Sequence, residues 1–284
     1  ICTAPARAGR VVYEAGTPAR LYVRDLASGG VSEVPLPPSS DGYNNARWSH
    51  EGEWLAFSHI TNGHTDIWTA RDDGTQLTNL TNSCGNFVMP DWSPDDGRLV
   101  LQWAESNTYW TFRDPNGCPT SLSVYLAGPR WSPDGNRVLG SNWGQTYQSD
   151  LFIYDLTSHT STQVTHHSPN HYFLQGDWSP DGSRIVVSGG TLEPRTSDVF
   201  IMNSDGSNLV NLTSDWATSV EDNPVWSPDG TFIVFSSNVS GNYDIWAMNP
   251  DGSARVNYSN TPNVDEHATS ITGATPTPTP TPTP

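Results

Sequence analysis

Residues 223–253 read NPVWSPDGTFIVFSSNVSGNYDIWAMNPDGS, and the rest of the chain repeats the pattern. Two turn signals, Ser-Pro-Asp-Gly at 227–230 and Pro-Asp-Gly at 250–252, bracket the runs FIVFSS and DIWAM. In such a turn Pro fixes φ, the Asp side chain accepts from nearby amides and Gly takes the positive φ. The runs lack helical spacing of apolar residues and are rich in β-branched and aromatic side chains, which predicts strands. The same pentad recurs at Trp48 (WSHEG), Trp92 (WSPDDG), Trp131, Trp178 and Trp226, at separations of 44, 39, 47 and 48 residues. A period in the forties, with two strands after each pentad and a short run ending NLT or QVT, predicts propeller blades of four antiparallel strands.

The ends of the chain set the blade count. Residues 10–36 carry three strands with no pentad before them. One period past Trp226, NVDEHATSIT aligns with SVEDNPVWSP when Asp265, Glu266 and His267 are set against Glu221, Asp222 and Asn223. The C-terminal segment is therefore expected to supply the inner strand of the first blade, closing a six-bladed all-β propeller and leaving few open sheet edges. The expected organisation is a tail at 1–9, the propeller at 10–272 and a Thr-Pro linker or stalk at 273–284.

The Trp-Ser-Pro-Asp-Gly repeat resembles that of the TolB-type propellers, a branch of the WD-repeat-like group, over nearly all of residues 10–271. The resemblance implies the fold. For function it implies a range, because such blades occur in periplasmic binding proteins, in surface proteins and as the gating domain of prolyl oligopeptidase-like enzymes. The small α/β domain that precedes the propeller in TolB is not among these residues.

Charge narrows the range. Thirty acidic residues face 13 basic ones, a net of −17, and every basic residue is Arg. Such a surface repels nucleic acid and anionic lipid, and the lack of Lys removes Schiff-base and P-loop chemistry. No apolar run reaches the roughly 18 residues of a membrane span, so no membrane insertion is expected. No Gly-x-Ser-x-Gly, His-Glu-x-x-His or Cys-x-x-Cys is present, so the reading is of a non-enzyme.

The residues repeated in every blade read as structural. The recurring Trp residues pack between sheets, and Asp66, Asp150, Asp198 and Asp244 read as turn or hydrogen-bonding residues. What varies between blades is more informative. The three residues at the channel end of each inner strand are Tyr43-Asn44-Asn45, Phe87-Val88-Met89, Leu126-Ala127-Gly128, Phe173-Leu174-Gln175, Glu221-Asp222-Asn223 and Asp265-Glu266-His267. One side of the mouth is thus apolar and the other acidic. Glu221, Asp222, Asn223, Asp265, Glu266 and His267, with Asn44, Asn45 and Gln175 nearby, form a candidate site for calcium or a polar ligand; the plainer alternative is a solvated acidic rim. No metal is identified beyond that, and no cofactor is certain. His166-His167-Ser-Pro-Asn-His171 is too loosely spaced for zinc.

Cys84 and Cys118 map to opposite faces and are expected to be unpaired with each other, leaving Cys2 free to reach Cys118. Asn-x-Ser/Thr sequons at Asn79, Asn211, Asn238 and Asn257 are N-glycosylation candidates, although Asn79 and Asn211 coincide with the repeat. The Thr-Pro tract predicts a polyproline-II rod, with Thr275, Thr277, Thr279, Thr281 and Thr283 as O-glycosylation candidates. The main reading is an extracellular or cell-surface structural and binding module, a glycosylated subunit of a surface or fibrous assembly. Its partners would be copies of itself, surface proteins and glycans. The alternatives are a periplasmic TolB-like binding protein and a carboxylate-dependent carbohydrate-active enzyme at the channel mouth.

Overall fold

Each repeat folds into antiparallel strands because its apolar residues alternate across short runs that the Pro-Asp-Gly turns cut to length. The computed structural model describes residues 7–61, 63–82, 84–105, 109–113, 118, 120–142, 149–166, 171–192, 195–216 and 218–273. These contain no helix, so none is long and apolar enough to cross a membrane. The first sheet holds β1 (Arg10–Ala15), β2 (Arg20–Asp25) and β3 (Val31–Glu33), the second β4 (Tyr43–Trp48), β5 (Trp54–Thr61), β6 (His64–Arg71) and β7 (Thr78–Asn79). In the third are β8 (Phe87–Trp92), β9 (Leu99–Trp103), β10 (Tyr109–Arg113) and β11 (Thr120–Tyr125). The fourth follows with β12 (Ala127–Trp131), β13 (Arg137–Ser141), β14 (Leu151–Asp155) and β15 (Thr160–Gln163). The fifth has β16 (His171–Trp178), β17 (Arg184–Thr191), β18 (Asp198–Asn203) and β19 (Val210–Asn211), and the sixth β20 (Glu221–Trp226), β21 (Ile233–Ser237), β22 (Asp244–Met248) and β23 (Val256–Asn257). The last strand, β24 (Glu266–Thr272), pairs antiparallel with β1 and gives the first sheet its fourth strand.

The core lies between neighbouring sheets. Val11, Tyr13, Ala268 and Ile271 of the first sheet pack on Val225, Phe232, Val234 and Ile245 of the sixth, and five similar clusters join the other neighbours around the ring. Phe57 and Phe235 are fully buried, each contributing roughly 1.5–3 kcal/mol by leaving water. The pentad tryptophans Trp48, Trp131, Trp178 and Trp226 are also buried, with the guanidinium groups of Arg10, Arg98, Arg137 and Arg184 respectively 4.5–5.2 Å from their ring centroids. One face of each of these four rings is occupied by a cation–π contact, and the buried rings serve packing.

The repeated third-strand Asp is the hub of a network within each of four blades. Asp66 accepts from Asn79 Nδ2 and Thr81 Oγ1, both at 2.9 Å, while Thr81 Oγ1 accepts from the Ile67 amide. Asp150 repeats this with Gln163 and Thr165, Asp198 with Asn211 and Thr213, and Asp244 with Asn257 and Ser259. At Asn79, Asn211 and Asn257 the nitrogen that a glycan would occupy thus donates to a carboxylate. Asn238 differs, its Oδ1 accepting from the Val220 amide.

Two expectations need correction. Cys84 and Cys118 form a disulfide with Cα atoms 5.7 Å apart. Counting strands assigns residues to faces only along a regular ladder, and the β10–β11 pair that flanks Cys118 shifts register between Tyr109 and Thr111. The register of β24 is the other. The Glu266 amide donates to the Tyr243 carbonyl as the Glu221 amide does to Ser197, and the Ala268 amide donates to a neighbouring sheet's side chain as those of Asn45, Met89 and Gly128 do. Glu266, His267 and Ala268 therefore match Glu221, Asp222 and Asn223, one residue later than the sequence alignment, and Asp265 falls outside the inner strand. Cys2 and the tail threonines Thr275, Thr277, Thr279, Thr281 and Thr283 lie outside the described residues, as does His167.

Candidate ligand site at the channel mouth

Every inner strand carries a bulge: its ladder shifts register at Asn44/Arg47, Val88/Asp91, Ala127/Arg130, Leu174/Asp177 and Asp222/Val225, and β24 does so opposite Val12/Tyr13. In five of them the third residue of the triplet is left-handed: Asn45 (φ 56°), Met89 (53°), Gly128 (62°), Gln175 (49°) and Asn223 (54°). Asn and Gly adopt that conformation readily, whereas Met89 and Gln175 are held there at a cost of order 1 kcal/mol. A bulge re-aims the side chains around it. Here Asn45, Met89, Gln175, Asn223 and His267, with Glu14, Arg47 and Arg130, line a cavity of about 230 Å3.

Below this mouth lies a belt of residues, each standing one place before the pentad Trp or its equivalent Ile271: Arg47, Asp91, Arg130, Asp177, Val225 and Ser270. Arg47 is buried and pairs with both acids, its Nε 3.3 Å from Asp91 and its Nη2 3.8 Å from Asp177, while its Nη1 donates to the Thr269 carbonyl. The other oxygens of the two acids accept the Trp131 and Trp226 amides at 2.8 Å. Arg47 also borders a second cavity, of about 220 Å3, lined by His50, Asp91, Asp177 and the pentad Trp and Pro residues. Its side chain thus borders both an upper cup and a lower one.

Electrostatics follow from burial. Desolvation pushes Asp91 up to about 6 against the pull of Arg47, and raises Asp177 for the same reason. Glu14, whose Oε1 accepts the Asn45 amide, is pushed up to about 7 by burial. Burial lowers His267, opposed by Asp265 and Asp222, and the ring lies 4.6 Å from that of Tyr243. At the lower face the hydrogen bond that the His50 ring gives to Asp96 raises His50.

The expected acidic pole does not converge. Glu221 is fully buried inside its blade, accepts from Ser237 Oγ at 2.8 Å and is pushed up to about 7 by burial. Glu266 is buried too, bonded to Thr261 Oγ1 and 3.6 Å from Arg24. Asp222 accepts from Ser197 Oγ, and exposed Asp265 from the Tyr243 amide. None of these four carboxylates lines the upper cavity, and among the described residues no group of three or more His, Cys, Asp or Glu side chains is placed to hold a metal ion. Asn44 flanks the bulge without lining the cavity, whereas Asn45, Gln175, Asn223 and His267 do line it. The belt charges were missed, although the signal stands in the sequence as ARWS, PDWS, PRWS, GDWS and PVWS.

A family model described as "TolB beta propeller domain" matches residues 120–275. The chain belongs to the TolB β-propeller domain family. An uncharacterized protein of Agrobacterium fabrum is 28% identical over 173 residues, 59% of this chain and 56% of that protein. The Tol-Pal system protein TolB of Anaeromyxobacter dehalogenans is 34% identical over 101 residues, 36% of this chain and 21% of its own length. The match therefore spans about half of the first relative and about a fifth of the second. Among solved structures, TolB from Acinetobacter baumannii superposes with a TM-score of 0.70 at 17% identity, covering 93% of this chain and 65% of that one, a likeness of fold.

Proposed function

We propose that this propeller is a TolB-like binding module that works in the periplasm, where its upper cup receives a polar segment of a partner protein. The observation that carries the reading is the mouth itself. Bulged inner strands aim Asn45, Gln175, Asn223 and His267 into one cavity, bordered also by Arg47, which Asp91 and Asp177 hold in place. Concave sites with a few convergent polar groups are where ligands dock. A location outside the cytoplasm is supported by the Cys84–Cys118 disulfide, because such bonds persist in oxidising compartments. The relatives named as Tol-Pal system proteins support a role in protein binding. Binding is preferred over catalysis because Glu221, Asp222, Asp265 and Glu266 hold separate partners instead of flanking an open cleft. Nothing among the described residues favours a glycosylated fibrous assembly.

The test is selection of displayed peptides on the purified protein, followed by affinity measurement against His267→Trp, which crowds the cup from a half-buried position outside the left-handed region. Selected peptides should lose at least tenfold in affinity for the variant. Peptides that bind both proteins equally would place recognition elsewhere and overturn the reading.

A further inference from the structure

We propose that Arg130 is an anion anchor in the upper cup and that the entering segment is held there by a carboxylate. The inference deepens the binding-module reading and rests on it for the ligand being a chain segment. The belt has the order Arg47, Asp91, Arg130, Asp177, so Arg130 stands between two acids in the ring. Arg47 nevertheless takes both of them. Arg130 makes no ion pair among the described residues: its Nη1 donates to its neighbour's carbonyl, that of Pro129, at 2.7 Å, and its buried Nε has no partner. Leaving a buried guanidinium donor unpaired costs free energy that a ligand oxygen would recover. The group borders the upper cavity and not the lower one.

The surroundings suit a carboxylate. Among the described residues the side chains of Gln175 and Asn223 make no hydrogen bonds, yet both line the same cavity and bring amide donors. A guanidinium fork matches a carboxylate in plane and spacing, and such charge-assisted bonds are the strong ones. At about 230 Å3 the cup falls below the usual size of a drug-sized ligand site, so it takes one side chain or one chain end. The net charge of −17 opposes the approach of polyanions, which selects a ligand bearing an isolated carboxylate over nucleic acid.

Three probes test this on the full chain: acetyl-Gly-Glu-Gly-amide, acetyl-Gly-Gly-Gly with a free C-terminus, and acetyl-Gly-Gln-Gly-amide. Each is titrated while the Arg130 Nε–H signal is followed by NMR, and again on Arg130→Gln with its melting curve recorded. At least one carboxylate peptide should move the signal and bind at least tenfold more tightly than the glutamine peptide. That advantage should vanish in Arg130→Gln. A response to the glutamate peptide alone identifies an acidic side chain, and to the free acid alone a chain terminus. If the variant does not fold, the wild-type titration decides. An unmoved Arg130 signal, or equal binding of the glutamine peptide, overturns the anchor. Selected peptides that still bind at the mouth would then leave the binding-module reading standing.

Discussion

The outer half of the blades and the channel belt use the same chemistry to opposite ends. In the outer network one arrangement, an Asp bonded to an Asn or Gln amide and a Thr or Ser hydroxyl, occurs four times with little variation. Each copy satisfies its own polar groups within one sheet. In the belt the same ring position carries Arg, Asp, Arg, Asp, Val and Ser, and its bonds run between sheets. Symmetric networks leave nothing over, whereas the broken symmetry of the belt leaves Arg130 without an acid. Repetition in this molecule marks what holds it together, and departure from repetition marks what it offers to a partner.

The comparison breaks first at the closure. Deleting residues 264–284 removes β24, exposing the β1 edge and the apolar face that Ala268 and Ile271 cover. Expected outcomes are loss of a cooperative melt and aggregation in size-exclusion chromatography. A truncated chain that melts like the whole one contradicts the ring.

Within the belt, Arg47→Met should destabilise by about 3–5 kcal/mol in urea denaturation, because two buried carboxylates lose their counterion. Arg130→Met at the equivalent position should cost about 1 kcal/mol or less. Equal losses would erase the distinction between them. In the outer network, Asp198→Ala strands Asn211 Nδ2 and the Thr213 hydroxyl and should cost about 1–3 kcal/mol, with peptide binding at the mouth unchanged.

The smallest effect is in pH. Glu14 and Glu221 at about 7 and Asp91 at about 6 lie above their ordinary values, so between pH 4 and 7 the folded state binds more protons than the unfolded one. Stability from these groups therefore rises as pH falls from 8 to 5. The turn carboxylate Asp181, held near 2 by the Ser179 hydroxyl, works the other way and loses its contribution as pH falls below 4. The melting temperature should rise by a few degrees from pH 8 to 5 and then decline. A monotonic fall from pH 8 would show that the interior acids are solvated.

The blades were legible because Trp-Ser pentads mark five of the six repeats, and in the turn at 179–182 Asp181 accepts the Ser183 amide as the motif predicts. The last inner strand was misaligned by one residue because Ile271 stands where the others have Trp, leaving no mark to fix register. Asn45, Gln175, Asn223 and His267 were readable as mouth residues from their place before the pentad. Glu221 and Glu266 were misread because carboxylates suggest solvent, while the bulge turns these two into the blade. The belt escaped notice because averaging over repeats hides the single position where they disagree.

Hydrogen–deuterium exchange with and without a selected peptide tests most directly whether function lies where the repeat fails. The account predicts added protection at the starts of the inner strands, residues 43–47, 173–177, 221–225 and 266–270, with the outer strands unchanged. Protection confined to the outer strands β3, β15 and β19, or no change at the inner strands, would contradict it.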